Sequence, residues 1–412
     1  MIAEIMIGRK TRKSPVGAFT DLTSEESSWR MVGFLGVMAG FLILSFYSVV
    51  AGWTFNYFLM SLTHFFKGKK PEEIKAAFDV LMSSPDIQIL WHFIFMVVTM
   101  GIVYGGIKKG IEKWSKILMP MLFAMMIGLI LYSIIFLNDG FIKTLKFTFI
   151  PKSKLMPSSV LTALGQAFFS LSLGMGAMLT YGSYMTKKTD VPKAAISVCL
   201  MDTMIALFAC LMIFPIVFQN SLQPSEGPGL VFKTMPVLFS QVTGGLLVAI
   251  AFFLLLGFAA LTSSISLLEV VTSYFIDQWG WTRKKAVLIT AFSVFLIGIP
   301  STGAVFGGWG KLYGKSFFDT IYYLTASWML PIGGLLIAIF VGWRMDDKER
   351  REEFLLGSSL EWLYPIWLFL LRFVVPFLVI VVLLNKIGFL SPDMMNEYWD
   401  KLFGTAKEII KK

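Results

Sequence analysis

From Met31 to Phe58 the chain carries no charged residue. A helix of that length crosses the hydrocarbon core of a bilayer, which takes about 20 apolar residues. Similar runs recur at 87–107, 117–137, 160–185, 194–218, 246–276, 286–299, 318–343 and 362–384. Lipid offers no water to an unpaired backbone, so runs like these fold as helices. The expected fold is an all-α integral membrane protein, with residues 1–412 forming a single domain. Composition agrees, with 56% of residues hydrophobic and only 15% charged. A short apolar stub, 1–8, precedes the first full span. The tail, 391–412, is amphipathic and suits a membrane surface.

Orientation follows from lysine and arginine, which favour cytoplasmic loops. Arg9–Lys13, Lys108–Lys116, Lys187–Lys193, Arg283–Lys285 and Arg344–Arg351 fall in alternate connections and share the cytoplasmic side. Lys67–Lys70 and Lys143–Lys154 go against the bias. The net charge of +10 belongs to these loops, so the partner is a bilayer and not nucleic acid. A cell inner or plasma membrane is the expected location. Cys199 and Cys210 lie roughly 16 Å apart along one helix, too far for a disulfide. With His64 and His92 the only histidines, little remains for a metal or catalytic centre. No nucleophile–base spacing or phosphate loop appears, so an enzyme is not expected.

One run is unlike the others. Gly165–Tyr184, GQAFFSLSLGMGAMLTYGSY, has membrane length, yet Gly174 and Gly176 interrupt its middle, with Ser170 and Ser172 just before them. Glycine weakens a helix by about 1 kcal/mol relative to alanine. Two readings fit: tight packing through small residues, or a ligand site between two half-helices.

Other polar groups inside apolar runs carry similar pairs of readings. Asp202 suits a ligand for an alkali cation, or a neutral acid bonded to a neighbouring helix. The hydroxyls of AALTSS, Ala259–Ser264, suit helix packing or a sodium site built from oxygen atoms. Tyr47 reads by itself as a buried tyrosine with a local hydrogen bond. Asp319 and Asp277 lie near span ends, where an acid is cheap. Glu269, on the same long helix as Asp277, faces a cavity or a partner. These positions converge at mid-depth instead of recurring along a pore, which favours a transporter over a channel.

Taken together, these stretches resemble the neurotransmitter:sodium symporter family. GQAFFSLSLGMGAMLTYGSY is similar to its broken sixth helix, FAALTSSISLLEV to its eighth, FYSVVAGWTF to its third and FDTIYYL to its tenth. GIKKGIEKWSKILMP resembles its loop between helices four and five. The resemblance implies the inverted-repeat sodium-symporter fold of the bacterial, eleven-helix branch, and sodium-coupled amino-acid symport by alternating access. Residue by residue, it implies that Tyr47 bonds the substrate carboxylate and Phe169 closes the outer side of the pocket. Ser170 and Asp202 would serve one sodium; the Ala259 carbonyl, Thr262 and Ser263 the second. Ile43, Ser172, Met175 and Leu267 would line the side-chain pocket, with Ser263 beside it, which suggests a hydrophobic or aromatic amino acid. Gln166 and Asp319 resemble the outer gate, Tyr184 and Asp277 the inner one.

Two departures carry further expectations. Asp202 stands where the family usually has asparagine, and Ala206 is neither the serine of chloride-dependent members nor an acid. Asp202 would then supply the fixed negative charge, and chloride is not required. The family's first helix has no counterpart here, and IAEIMIGRK resembles only the end of the second. The family places sodium ligands and gate arginines on that first helix, so each ion site is expected to be incomplete. The alternative expectation is a truncated, transport-inactive remnant.

Overall fold

The computed structural model describes residues 1–150, 157–220, 227–305, 314–387 and 389. The tail at 391–412 lies outside the described residues. Helix α1 (Ile2–Thr11) and the short α2 (Pro15–Leu22) lead into α3 (Arg30–Leu62). There follow α4 (Pro71–Met82), α5 (Pro85–Tyr104), α6 (Ile107–Phe136) and α7 (Asn138–Phe149). The broken segment gives α8 (Pro157–Ser170) and α9 (Ala177–Tyr184), and α10 (Val191–Gln219) comes next. The remainder is α11 (Met235–Gln241), α12 (Gly245–Trp279), α13 (Arg283–Gly298), α14 (Phe317–Arg344), α15 (Asp347–Leu355) and α16 (Leu363–Lys386). Eight of these are long and apolar enough to cross a membrane: α3, α5, α6, α10, α12, α14 and α16, together with α13 extended to Thr302.

The helices begin and end where chemistry expects. Asp190 caps α10 by accepting from the Lys193 amide, and Asp346 caps α15 by accepting from Lys348 and Glu349. Proline opens α2, α4, α5 and α10 at a position whose amide has no helical partner. At three other prolines the helix has another form. Wide π-helical turns at Leu230–Thr234, Thr325–Met329 and Leu370–Val374 each precede a proline by two residues: Pro236, Pro331 and Pro376. Proline donates no amide and crowds the carbonyl one turn back, so the preceding turn widens.

Helices α3 and α12 form the axis of the bundle, and both α3 and α12 lie against α5 and α13. The Thr99 and Ser264 hydroxyls join α5 to α12 at 2.9 Å, inside the bundle. Apolar cores gather around this axis. One end is built of rings: Trp53, Tyr57, Phe66, Phe78, Phe232, Phe239, Phe252 and Phe253. The opposite end carries Arg9, Arg283 and Arg350 and is called here the basic face. Helices α4 and α7, which the apolar pattern does not announce, lie in connections between spans.

Candidate functional site: a broken helix between oxygen clusters

The link between α8 and α9 is not helical. Ser172, Gly174 and Gly176 all take positive φ, at 53°, 76° and 75°. Glycine enters that region without penalty, and it leaves room for close approach. A Cβ at Gly174 would collide with the Leu330 carbonyl of α14, and one at Gly333 would sit 2.6 Å from the Gly174 oxygen. On the other side, a Cβ at Gly36 of α3 would lie 3.1 Å from the Gly176 nitrogen. The link is thus clasped between α3 and α14, backbone against backbone. The helix breaks at these glycines, and the break packs tightly.

Oxygen atoms gather on either side of the break. The Ser170 hydroxyl, at the end of α8, donates to Asp202 Oδ1 of α10 at 2.6 Å. Across the bundle, Thr262 Oγ1 donates to the Ala259 carbonyl at 2.8 Å, and Ser263 lies beside Tyr47 of α3. The second cluster is neutral oxygen throughout, the donor chemistry of a hard monovalent cation. Among the described residues no group of three or more His, Cys, Asp or Glu could hold a transition metal. Ile43, Met175 and Leu267 are buried in one apolar core, and Tyr47 and Phe169 pack against it. Phe169 also reaches Tyr322 of α14, ring centroids 6.3 Å apart. Ser172 belongs to the link itself.

The residues that the resemblance assigns to gates each have partners of their own. Tyr184 donates to Glu269 Oε1 at 2.6 Å, and Arg283 forks onto both oxygens of the same carboxylate. Asp277 instead accepts from the Ser14 amide at the head of α2. Lys13 beside it is held above the usual lysine range, first by its bond to Asp21 and also by the charge of Asp277. At the other end Asp319 is tied within its own turn: Ser316 donates to it at 2.6 Å, and its amide returns to the Ser316 hydroxyl. Asp319 and Trp53 line a cavity of about 630 Å³ there, with Gln88 beneath. Gln88 is buried and fastens Trp53 Nε1, at 3.1 Å, to the Thr302 carbonyl. Gln166 lies exposed on α8.

Glu4 is the residue that sequence reasoning passed over. Its Oε1 accepts from the Gly174 amide at 2.9 Å, so an acid on α1 bonds a freed backbone group of the broken link. Its Oε2 is buried and has no protein partner. Beside it lies an apolar cavity of about 500 Å³ bounded by Phe168, Cys199, Ile337 and Trp367. The available signal was an acid inside the apolar stub MIAEIMIG.

Known proteins match this arrangement. Residues 82–409 match the sodium:neurotransmitter symporter family. The chain is 36% identical over 396 residues to the uncharacterized sodium-dependent transporter YhdH of Bacillus subtilis, covering 95% of this chain and 87% of that protein. It is 31% identical to an uncharacterized sodium-dependent transporter of Haemophilus influenzae, covering 94% and 86%. Among solved structures, that of MhsT in complex with L-phenylalanine superposes with a TM-score of 0.84 at 41% identity, covering 93% of this chain and 87% of MhsT. Such a bundle of apolar helices, one of them broken, is the fold of a sodium-dependent membrane transporter. The chain belongs to the sodium:neurotransmitter symporter family.

Proposed function

We propose that the chain couples sodium entry to uptake of a hydrophobic or aromatic amino acid by alternating access. Three features together support this reading. These are the clasped break at 171–176, the Ser170–Asp202 pair, and the Tyr47–Ser263–Thr262–Ala259 oxygens. Freed amides and a tyrosine hydroxyl suit a carboxylate, and oxygen clusters suit sodium. The walls of Ile43, Met175 and Leu267 suit an apolar side chain, and methionine adapts to irregular shapes. MhsT, a similar protein, was crystallised with L-phenylalanine.

In this reading Ser170 and Asp202 serve the first sodium, and Ala259, Thr262 and Ser263 the second. Asp202 supplies a fixed negative charge, so chloride is not required. The basic face is cytoplasmic, and the protein resides in a cell inner or plasma membrane. Tyr184, Glu269 and Arg283 close the inner mouth, with Asp277 holding α2 beside them. Asp319, Gln166 and Phe169 border the outer one.

The test is binding of labelled phenylalanine, leucine and glycine to the purified chain in sodium or potassium. Sodium-dependent retention of phenylalanine and leucine supports the proposal. Retention of glycine alone overturns the substrate class, and retention independent of sodium overturns the coupling. Binding without uptake in proteoliposomes would favour the transport-inactive alternative. Chloride-stimulated uptake that persists in Asp202→Asn would count against a chloride-free cycle.

A further inference from the structure

Arg9 is among the largest fully buried side chains of the described structure, at 1% exposure. An arginine is seldom buried unless every donor is answered. Here Nε donates to Glu353 Oε1 at 2.5 Å, Nη2 to the Glu353 carbonyl, and Nη1 to the Thr189 and Leu356 carbonyls. These acceptors belong to two separate segments. Glu353 and Leu356 are the end of α15, which lies between α14 and α16. Thr189 belongs to the connection that leaves α9. The two segments also touch directly: Gly357, at φ 76°, brings its α-carbon so close that a Cβ would sit 2.9 Å from the Lys188 oxygen. Lys10 adds a half-exposed ion pair to Glu349 at 3.2 Å.

The residue before Arg9 explains why this matters. Gly8 of α1 presses on α9 so tightly that a Cβ would collide with the Leu179 carbonyl, and Gly182 of α9 does the same toward Ile5. Helices α1 and α9 therefore touch backbone to backbone and form one packed body. Tyr184, the last residue of α9, is the group that closes onto Glu269. Arg9 thus ties the body carrying Tyr184 to α15.

We propose that Arg9 is a positioning residue for the inner gate: its fork onto Glu353, Thr189 and Leu356 holds α15 against α9 while Tyr184 is closed on Glu269, and opening the inner mouth releases that fork. The proposal rests on the gate reading above. A lysine keeps the charge but offers one ammonium in place of a planar fork, so it cannot serve four acceptors on two segments.

The experiment measures alkylation of the thiol introduced by Tyr181→Cys, on α9, in a chain that also carries Cys199→Ala and Cys210→Ala. Labelling is done from the basic face in oriented vesicles. In sodium, Arg9→Lys is expected to label about tenfold faster than its parent, the size of effect that a shifted two-state equilibrium produces. Glu353→Gln, which keeps the side-chain shape, is expected to label a few-fold faster. The double variant should match Arg9→Lys alone, because both break one network. If Arg9→Lys fails to fold, Glu353→Gln carries the test. A lowered melting temperature with labelling at the parental rate in either folded variant would overturn the proposal, since a merely structural contact behaves that way. The assay requires no transport. A parent chain that binds no phenylalanine would overturn the function proposed above while leaving this result readable.

Discussion

The two ends of the molecule are closed by different physics. At the basic face the closing groups are charges: Arg9 with Glu353, Arg283 with Glu269, Arg350 with Asp347. The Glu269 carboxylate is wholly buried and Arg283 is 24% exposed. At the opposite end the closing groups are rings. Phe78 stacks on Phe232 at 5.6 Å and 3°, with Trp53, Tyr57 and Phe253 around them, and the ion pair there, Lys233 with Asp79, is 36% and 64% exposed. A buried ion pair holds in one geometry and becomes costly once a partner leaves. A ring cluster is held by many small contacts, so the loss of one is shared among its neighbours. The difference teaches that the basic face depends on exact pairing of its charges, and the aromatic end on packed apolar area.

The sharpest test of that contrast is Glu269→Ala. It strands Arg283 beside an apolar core and should cost about 3–5 kcal/mol, read as a large fall in melting temperature. Adding Arg283→Leu should recover part of the loss. A Glu269→Ala protein as stable as its parent would break the comparison. Gln88→Leu comes next. It removes the polar pivot of the aromatic end, leaving the Trp53 indole and the Thr302 carbonyl unpaired, for about 1–3 kcal/mol in the same assay. Phe232→Leu should cost about 1 kcal/mol, since a similar volume repacks and the neighbouring rings can shift. Lys233→Ala should fall near 0.5 kcal/mol and vanish in high salt, as exposed pairs do. If Lys233→Ala proved as damaging as Glu269→Ala, the aromatic end would also be an ionic latch.

Much of this was legible in the sequence, because apolar runs and glycine breaks are local signals. The interruption at Gly174 and Gly176 was read from two glycines and two serines, and the all-helical membrane fold from charge-free length. The pairing of Ser170 with Asp202 follows the family resemblance. What escaped were contacts between residues far apart in the chain. Glu4 looked incidental in an apolar stub, yet it bonds an amide 170 residues away. Glu269 was one acid among several until Arg283 and Tyr184 were seen to share it. Asp277 and Tyr184, placed at one gate by resemblance, engage different partners, since Asp277 is taken by the Ser14 amide. No periodicity encodes such choices; they depend on where helices come to rest.

The prolines that follow the π-helical turns have a consequence for how the chain can tolerate change. A π-helical turn holds one residue more than an α-turn, so it stands in the helix like an accommodated insertion. Deleting one residue within Thr325–Met329 would return that turn of α14 to α-helical winding without rotating either flank, whereas the same deletion in the uninterrupted α12 would turn every later side chain by about 100°. Single-residue length changes should therefore be absorbed in α14 and α16 and rejected in α12. The spare length sits in α14 and α16, and none in the axial α12.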